Sequence, residues 1–521
     1  MEKYTKTTSE RENKFDHKRH VFGAVMGPLC AILVWFAPIP GLTENPEAHK
    51  LLAVVTLVAF WWICEPIPIP VTSLLGPTLC VILGIVPVKD AYSAFASPMI
   101  FLFMGGFLIA KAMMVNGLDK RMAYGIMSMR WVGNSPRRIF LAIGLACMLC
   151  SGWISNTATA AMMFPIALGL LEAIREMMAA NGKHIDLKSY KYATGLMLMT
   201  AYACSIGGVL TPIGTPPNII MIGFIRELAP EAPQITFFNW MVWGFAAMVL
   251  YFIVTYFVLW KLFPADVDNI EGAQELIEER VKSLGKWTRA QKNTLFAFIV
   301  AVTLWVLPGI LSAVSNIAPD IVSPESVKTC NKYFPEAVAA MIGGLLMFLL
   351  PVDIKKRETT LKWKEGVAGI EWGTLLLFGG GLAIGGMVFS TGLSAWIGEA
   401  LTNTMGNHPS EVVFLTVFSV TSLLLSELTS NTAVANLMGP IAIATALSLG
   451  FSPVPVCVVM ALSTSLAFML PVSTPPNAIV YASGYIPINK MIKAGVILDF
   501  IGIFVITVPL VLYLVKLIMG C

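Results

Sequence analysis

The sequence predicts an all-α polytopic membrane protein built from two repeats of inverted topology. Three observations carry that reading. Hydrophobic residues fill 56% of the 521 positions and charged residues only 13%, about half the 25% usual in soluble domains; mean hydropathy is +0.75. Lys and Arg collect in alternate connections between apolar runs. The tetrapeptide Ser-Asn-Thr-Ala occurs twice, at 155–158 and 430–433, each time inside a long apolar stretch.

Residues 1–20 are charged and polar and lack the short apolar core and small-residue cleavage site of a signal peptide. They read as a cytoplasmic tail. Lys and Arg are dense there, in 118–138, 175–191, 261–292 and 353–364, and recur at Lys490 and Lys493. The remaining connections hold few or none. By the positive-inside rule the rich connections are cytoplasmic and the poor ones external. Threading the chain between the two sides gives about eleven transmembrane helices, near 21–38, 50–64, 69–87, 97–117, 192–228, 238–263, 292–310, 335–352, 370–401, 455–485 and 491–518. The N-terminus is then cytoplasmic and the C-terminus external. Two apolar stretches, 137–178 and 411–449, are flanked at both ends by connections of one side. Each is read as a re-entrant hairpin with Ser-Asn-Thr at its tip.

The halves repeat at a fixed offset. Phe103-x-Gly105-Gly106, Gly117-Leu118, Ser151 and Ser155-Asn156-Thr157-Ala158 each recur 275 residues later, as Phe378-x-Gly380-Gly381, Gly392-Leu393, Ser426 and Ser430-Asn431-Thr432-Ala433. A second element, Thr-Pro-Pro-Asn, occurs at 215–218 and 474–477, a spacing of 259. One repeat starts from outside and its partner from inside, which sets the two tips face to face near the bilayer midplane. The expected organisation is a first helix plus repeat 1 over 21–264, with a broken helix at 192–228. A cytoplasmic linker follows at 265–290, and repeat 2 over 291–521 carries the broken helix 455–485. The clustered glycines read as sites of close helix packing.

Lipid offers no hydrogen bonds, so broken backbone at membrane depth must line a cavity or a ligand. A helix beginning at each tip leaves N–H groups and the positive end of its dipole for a carboxylate. The Ser, Thr and Asn oxygens, with carbonyls of the broken turn, equally suit a small hard cation such as sodium. Pro216, Pro217, Pro475 and Pro476 donate no N–H and break their helices midway. No Lys or Arg is expected near these elements, so an anion would meet no fixed positive charge and sodium is expected to supply the charge it needs. Glu65 and Glu427, at helix ends or tips, read as caps or hydrogen-bond anchors.

Several classes are excluded. The five histidines (His17, His20, His49, His184, His408) fall in tails or connections, and no phosphate-binding G-x-x-x-x-G-K-[ST] or zinc H-E-x-x-H motif is present. An enzyme and an ATP-driven pump are therefore disfavoured, no cofactor is expected, and nothing points to nucleic acid. Cys147-x-x-Cys150 lies inside an apolar run and reads as packing, and only Cys330 and Cys521 fall in outside segments, so no disulfide framework is expected.

With its paired Ser-Asn-Thr tips, Ile213–Asn218 (Ile-Gly-Thr-Pro-Pro-Asn) and Val472–Asn477 (Val-Ser-Thr-Pro-Pro-Asn), the chain resembles the divalent anion/sodium symporter family from about residue 21 onward. The resemblance implies a homodimer in which a scaffold domain holds an elevator-type transport domain. It implies one sodium site from Ser151, Ser155, Asn156 and the Gly214 carbonyl, and a second from Ser426, Thr429, Asn431 and the Ser473 carbonyl. The substrate's carboxylates would meet Ser155, Asn156 and Thr157 on one side and Ser430, Asn431 and Thr432 on the other, with Thr215, Pro216, Thr474 and Pro475 closing the pocket. Ser426 stands where the family often has Thr, and Ser473 where it often has Ala; the first keeps a hydroxyl and the second is needed only for its carbonyl. The expected activity is sodium-coupled symport of C4-dicarboxylates such as succinate, fumarate and malate across a bacterial inner membrane. A sodium-independent exchanger of the same fold, a sulfate or tricarboxylate symporter, and an anion channel are the alternatives.

Overall fold

The computed structural model describes residues 2–519 except 181, 183 and 406–408. His408 and Cys521, both weighed above, lie outside the described residues. The first half runs α1 (Glu2–Phe36), α2 (Pro46–Cys64), α3 (Ile69–Ile82), α4 (Val88–Ser93), α5 (Pro98–Val115) and α6 (Leu118–Met127). It continues with α7 (Pro136–Ser151), α8 (Asn156–Ala180), α9 (Lys191–Gly208), α10 (Pro216–Leu228) and α11 (Phe237–Leu262). After α12 (Ala273–Ser283), the second half runs α13 (Arg289–Ile317), α14 (Pro324–Tyr333), α15 (Glu336–Leu349), α16 (Trp363–Gly369), α17 (Trp372–Ser390) and α18 (Leu393–Met405). It ends with α19 (Glu411–Leu428), α20 (Asn431–Ser448), α21 (Pro453–Ser465), α22 (Pro475–Tyr481), α23 (Ile488–Ile501) and α24 (Val508–Met519).

Among the described residues nine helical stretches are long and apolar enough to cross a membrane, or ten if the bent pair α14–α15 is one span. Two of the nine, α8 and α19, are hairpin arms. The spans that this measure passes over are the 14-residue α3 and the interrupted pairs α9–α10 and α21–α22. With these and α15, eleven crossings are accommodated. The expected span 370–401 divides between α17 and α18, because Gly392 turns the backbone left-handed at φ 78°. The last span carries a π-helical segment, Gly502–Thr507, between α23 and α24. The first helix extends from Glu2 through the tail rather than starting near residue 21.

Burial sorts the helices. Only 11% of the apolar window of α1 is buried, against 67% for α17, so α1 is peripheral and α17 central. Large apolar side chains such as Phe36, Phe296, Ile299 and Phe500 face outward, as a lipid-contacting surface requires. The interrupted helices form the core of each half: every residue from Tyr192 to Gly208 and from Pro453 to Ser465 is buried.

The repeats interlock. α5 packs on α15 from the other half, and α17 packs on α3. The matched glycines make the matched contacts: a Cβ on Gly105 would sit 2.4 Å from the Ala340 carbonyl carbon, and one on Gly380 would sit 2.3 Å from the Ser73 carbonyl oxygen. The close-packing reading of these glycines holds. Gly117 and Gly392 match too, both left-handed at φ 67° and 78° ahead of α6 and α18.

Candidate functional site

Each hairpin tip is a helix end, a short turn and a new helix start. In the first, α7 ends at Ser151, and its hydroxyl donates to Asn156 Oδ1 at 2.7 Å, the first residue of α8. In the second, Ser426 Oγ lies 3.0 Å from Asn431 Oδ1, the first residue of α20, and 2.9 Å from the Thr464 carbonyl. A hydroxyl has one proton, so Ser426 satisfies only one of these two oxygens at a time. Because both asparagines present Oδ1 to a buried serine, their Nδ2 donors are left for a ligand. Ser430 makes no side-chain cap bond to α20, which leaves that helix's first N–H groups to the cavity side.

The interrupted spans are equally matched. Thr215 and Thr474 precede their proline pairs in near-identical extended conformations (φ −146°, ψ 142° and φ −142°, ψ 146°). Asn218 Nδ2 donates to the carbonyls of Gly208 (3.0 Å) and Thr211 (2.8 Å). Asn477 Nδ2 donates to Ala467 (3.2 Å) and Leu470 (3.0 Å), the residues 259 positions on. Each amide thereby ties down the carbonyl-rich turn that its prolines release. Both Asn218 Oδ1 and Asn477 Oδ1 are buried without a hydrogen-bond partner, an arrangement suited to a nearby cation.

The halves differ again beside the second tip. Glu427 accepts from the Met469 and Leu470 amides at 2.8 and 3.0 Å and so clamps the second broken turn. Its counterpart, 275 residues upstream, is Gly152, whose carbonyl accepts from the Thr211 hydroxyl instead. The anchor reading of Glu427 holds. So does the cap reading of Glu65, which closes α2 with a left-handed backbone at φ 52°.

These elements enclose a cavity of about 550 Å³, within the usual range for small-molecule sites. Ser155, Asn156, Thr157, Thr215, Pro216, Ser430, Asn431, Thr432, Thr474 and Pro475 all line it, as do Gly214, Thr429 and Ser473. Ser151 and Ser426 do not; both are fully buried behind their asparagines. The structure thus gathers all the expected site residues into one place, thirteen on the wall and two directly behind it.

The expectation that no Lys or Arg stands near these elements is corrected. Arg19 lines the cavity, donating through Nη1 to the Leu428 carbonyl at 3.3 Å and pairing through Nη2 with Glu65 at 3.7 Å. Sequence distance concealed it: α1 packs along α2, and Gly23 lets the two touch where a Cβ would lie 2.3 Å from Cys64 Cβ. Glu65, Glu371 and Thr374 also line the cavity, and Thr374 donates to Glu371 at 3.1 Å. One guanidinium facing two carboxyl side chains leaves the formal charge of this wall negative, so an anion still needs accompanying cations.

Comparison with known proteins fits this architecture. Residues 20–519 match the family described as the sodium:sulfate symporter transmembrane region. A sodium-dependent dicarboxylate transporter, SdcS, of Staphylococcus saprophyticus is 32% identical over 514 residues, covering 98% of this chain and 95% of the relative. A protein of the same name from Staphylococcus aureus is 31% identical over 505 residues, covering 96% and 92%. Among solved structures, the YdaH transporter of Alcanivorax borkumensis superposes with a TM-score of 0.55 at 13% identity, over 92% of this chain and 99% of that one. MtrF of Neisseria gonorrhoeae gives 0.51 at 13% identity, over 94% and 93%; at such identity these two bear on the fold alone. The chain belongs to the sodium:sulfate symporter family, the divalent anion/sodium symporters that its motifs resemble, and is an integral membrane transporter rather than an enzyme.

Proposed function

We propose that the protein imports C4-dicarboxylates such as succinate, fumarate and malate together with sodium, by an elevator movement. The observation that carries this reading is the matched pair of oxygen-rich tips on one cavity. Each sets a buried serine hydroxyl against an asparagine side-chain oxygen at the start of a helix. Relatives named as sodium-dependent dicarboxylate transporters support both the ion and the substrate class.

One sodium would be held by Ser151, Ser155, Asn156 and the Gly214 carbonyl, the other by Ser426, Thr429, Asn431 and the Ser473 carbonyl. The Thr464 carbonyl, 2.9 Å from Ser426 Oγ, adds an oxygen to the second set. Binding the two cations offsets the negative wall and the substrate's charge. One carboxylate then takes hydrogen bonds from Ser155, Asn156 and Thr157, and the other from Ser430, Asn431 and Thr432, each at the positive end of a hairpin helix. Thr215, Pro216, Thr474 and Pro475 close the sides.

The hairpins and interrupted spans would move together against a scaffold held in a homodimer. In this reading the protein lies in a bacterial inner membrane with its N-terminus cytoplasmic and C-terminus external. Among the wall residues outside the motifs, Arg19 lies on α1 just before its apolar run, Glu65 at the end of α2, and Glu371 and Thr374 at the start of α17, all cytoplasmic by the Lys/Arg partition. The cavity therefore faces the cytoplasm in this conformation.

The test is uptake of labelled succinate by proteoliposomes, with and without an inward sodium gradient, competed by other anions. Saturable, sodium-dependent uptake competed by fumarate and malate is expected. Sodium-independent counterflow alone would replace symport by exchange, competition confined to sulfate or citrate would reassign the substrate, and non-saturating flux would indicate a channel.

A further inference from the structure

We propose that Arg19 is the residue that selects carboxylates at the mouth of the cavity, exchanging its pairing with Glu65 for one carboxylate of the substrate as that substrate enters or leaves. This rests on the dicarboxylate reading above. Three observations lead to it. Arg19 is the one Lys or Arg among the described residues lining the cavity, and its Nη1 is already bonded to the carbonyl of Leu428, two residues before Ser430. Among the described residues, this guanidinium is thus the fixed positive charge that the cavity wall offers a ligand carboxylate.

The second observation is the looseness of the contact between Arg19 and Glu65. Arg19 and Glu65 approach only to 3.7 Å, with both side chains partly exposed, well short of a bidentate charge-assisted contact at about 2.7–2.9 Å. Exposed pairs of this kind contribute little, and a carboxylate arriving with better geometry displaces one readily. The third is the backbone at Glu65. It is one of two non-glycine residues with positive φ among the described residues, a conformation disfavoured for a side chain of this kind. Such outliers concentrate at ligand sites and switches. Glu65 is thus held beside Arg19 by its backbone, as a stand-in carboxylate when the cavity is free of substrate. Glu371 on the same wall repels a dianion and makes the guanidinium more necessary.

The experiment measures uptake kinetics in proteoliposomes for wild type, Arg19→Gln, Arg19→Lys and Glu65→Gln, using whichever anion wild type transports best from a panel of succinate, its monomethyl ester, citrate and sulfate. Arg19→Gln should raise KM about tenfold, the loss of one hydrogen-bonded charge contact, with Vmax and the half-saturating sodium concentration little changed. Arg19→Lys should recover much of that loss, because the charge returns without the fork. Glu65→Gln should lower KM by removing the competitor. A fourth variant, Gly23→Leu, pushes α1 from α2 without touching a charge and should reproduce the KM effect of Arg19→Gln. An unchanged KM in Arg19→Gln would overturn the proposal, as would equal losses in the Gln and Lys variants or a fall in Vmax at constant KM. Wild-type transport of citrate or sulfate alone would overturn the dicarboxylate reading, while the variant-to-wild-type ratio for that anion still tests Arg19.

Discussion

Replacing Asn156 or Asn431 by Ala removes symmetry-related side chains, yet the two variants should differ in stability. Both should abolish transport, since each loses the amide donor to a carboxylate and an oxygen to a cation. The difference lies behind them. Ser151 is fully buried, and its hydroxyl makes one hydrogen bond, to Asn156 Oδ1. Asn156→Ala leaves that buried donor without its acceptor, a penalty of about 1–3 kcal/mol. Ser426 is equally buried, but after Asn431→Ala its hydroxyl still has the Thr464 carbonyl at 2.9 Å, so the penalty is absent. The assay is denaturant or thermal unfolding of purified protein without sodium or substrate. Asn156→Ala should unfold earlier than Asn431→Ala. Removing the orphaned partner as well, in Ser151→Ala/Asn156→Ala, should restore most of the lost stability, because deleting both partners is close to neutral. Ser426→Ala/Asn431→Ala should gain nothing over Asn431→Ala. Equal stability of the single variants, or no recovery in the first double variant, would refute this account of the tips.

Other outcomes follow from the packing and the clamp. Gly105→Ala and Gly380→Ala each force a Cβ to within 2.4 and 2.3 Å of backbone on the facing helix, and each should destabilise by about 1–3 kcal/mol or more, seen as reduced folded yield. Gly169→Ala in α8, where a Cβ meets nothing within 4 Å, should be neutral or stabilise by up to about 1 kcal/mol through helix propensity. Glu427→Ala strips the acceptor from two turn amides and should weaken sodium dependence more than Asn477→Asp, which keeps a side chain in place; half-saturating sodium in uptake assays reads the difference. Glu336→Ala removes the acceptor of both Arg226 and the Phe237 amide and leaves a partly buried guanidinium unpaired, at about 3–5 kcal/mol, measurable as loss of monodisperse protein.

Much of the architecture was legible because inverted repeats leave paired signals. The 275-residue offset located Asn156 and Asn431, Gly105 and Gly380, and Gly117 and Gly392, and the structure gives each pair the same bond, contact or backbone conformation. Proline pairs and polar tips in apolar runs marked the broken spans, since only ligand-lining backbone tolerates them at membrane depth. What was not legible breaks the symmetry or depends on packing between distant segments. Glu427 was legible as an anchor, but with Gly152 as its counterpart no repeat pointed to the turn it clamps. Arg19 reaches the cavity through the α1–α2 contact at Gly23, which no local pattern encodes. The division of 370–401 at Gly392 was hidden because one glycine in an apolar run reads equally as helix packing or as a turn.

The central claim is that the two tips bind sodium and substrate as one unit. Simultaneous measurement of labelled sodium and labelled succinate entering the same proteoliposomes tests it most directly. The account predicts that succinate accelerates sodium entry, that sodium accelerates succinate entry, and that Asn156→Ala and Asn431→Ala abolish both stimulations together. Sodium and succinate fluxes that ignore one another, or a variant at one tip that loses one flux and keeps the other, would contradict it.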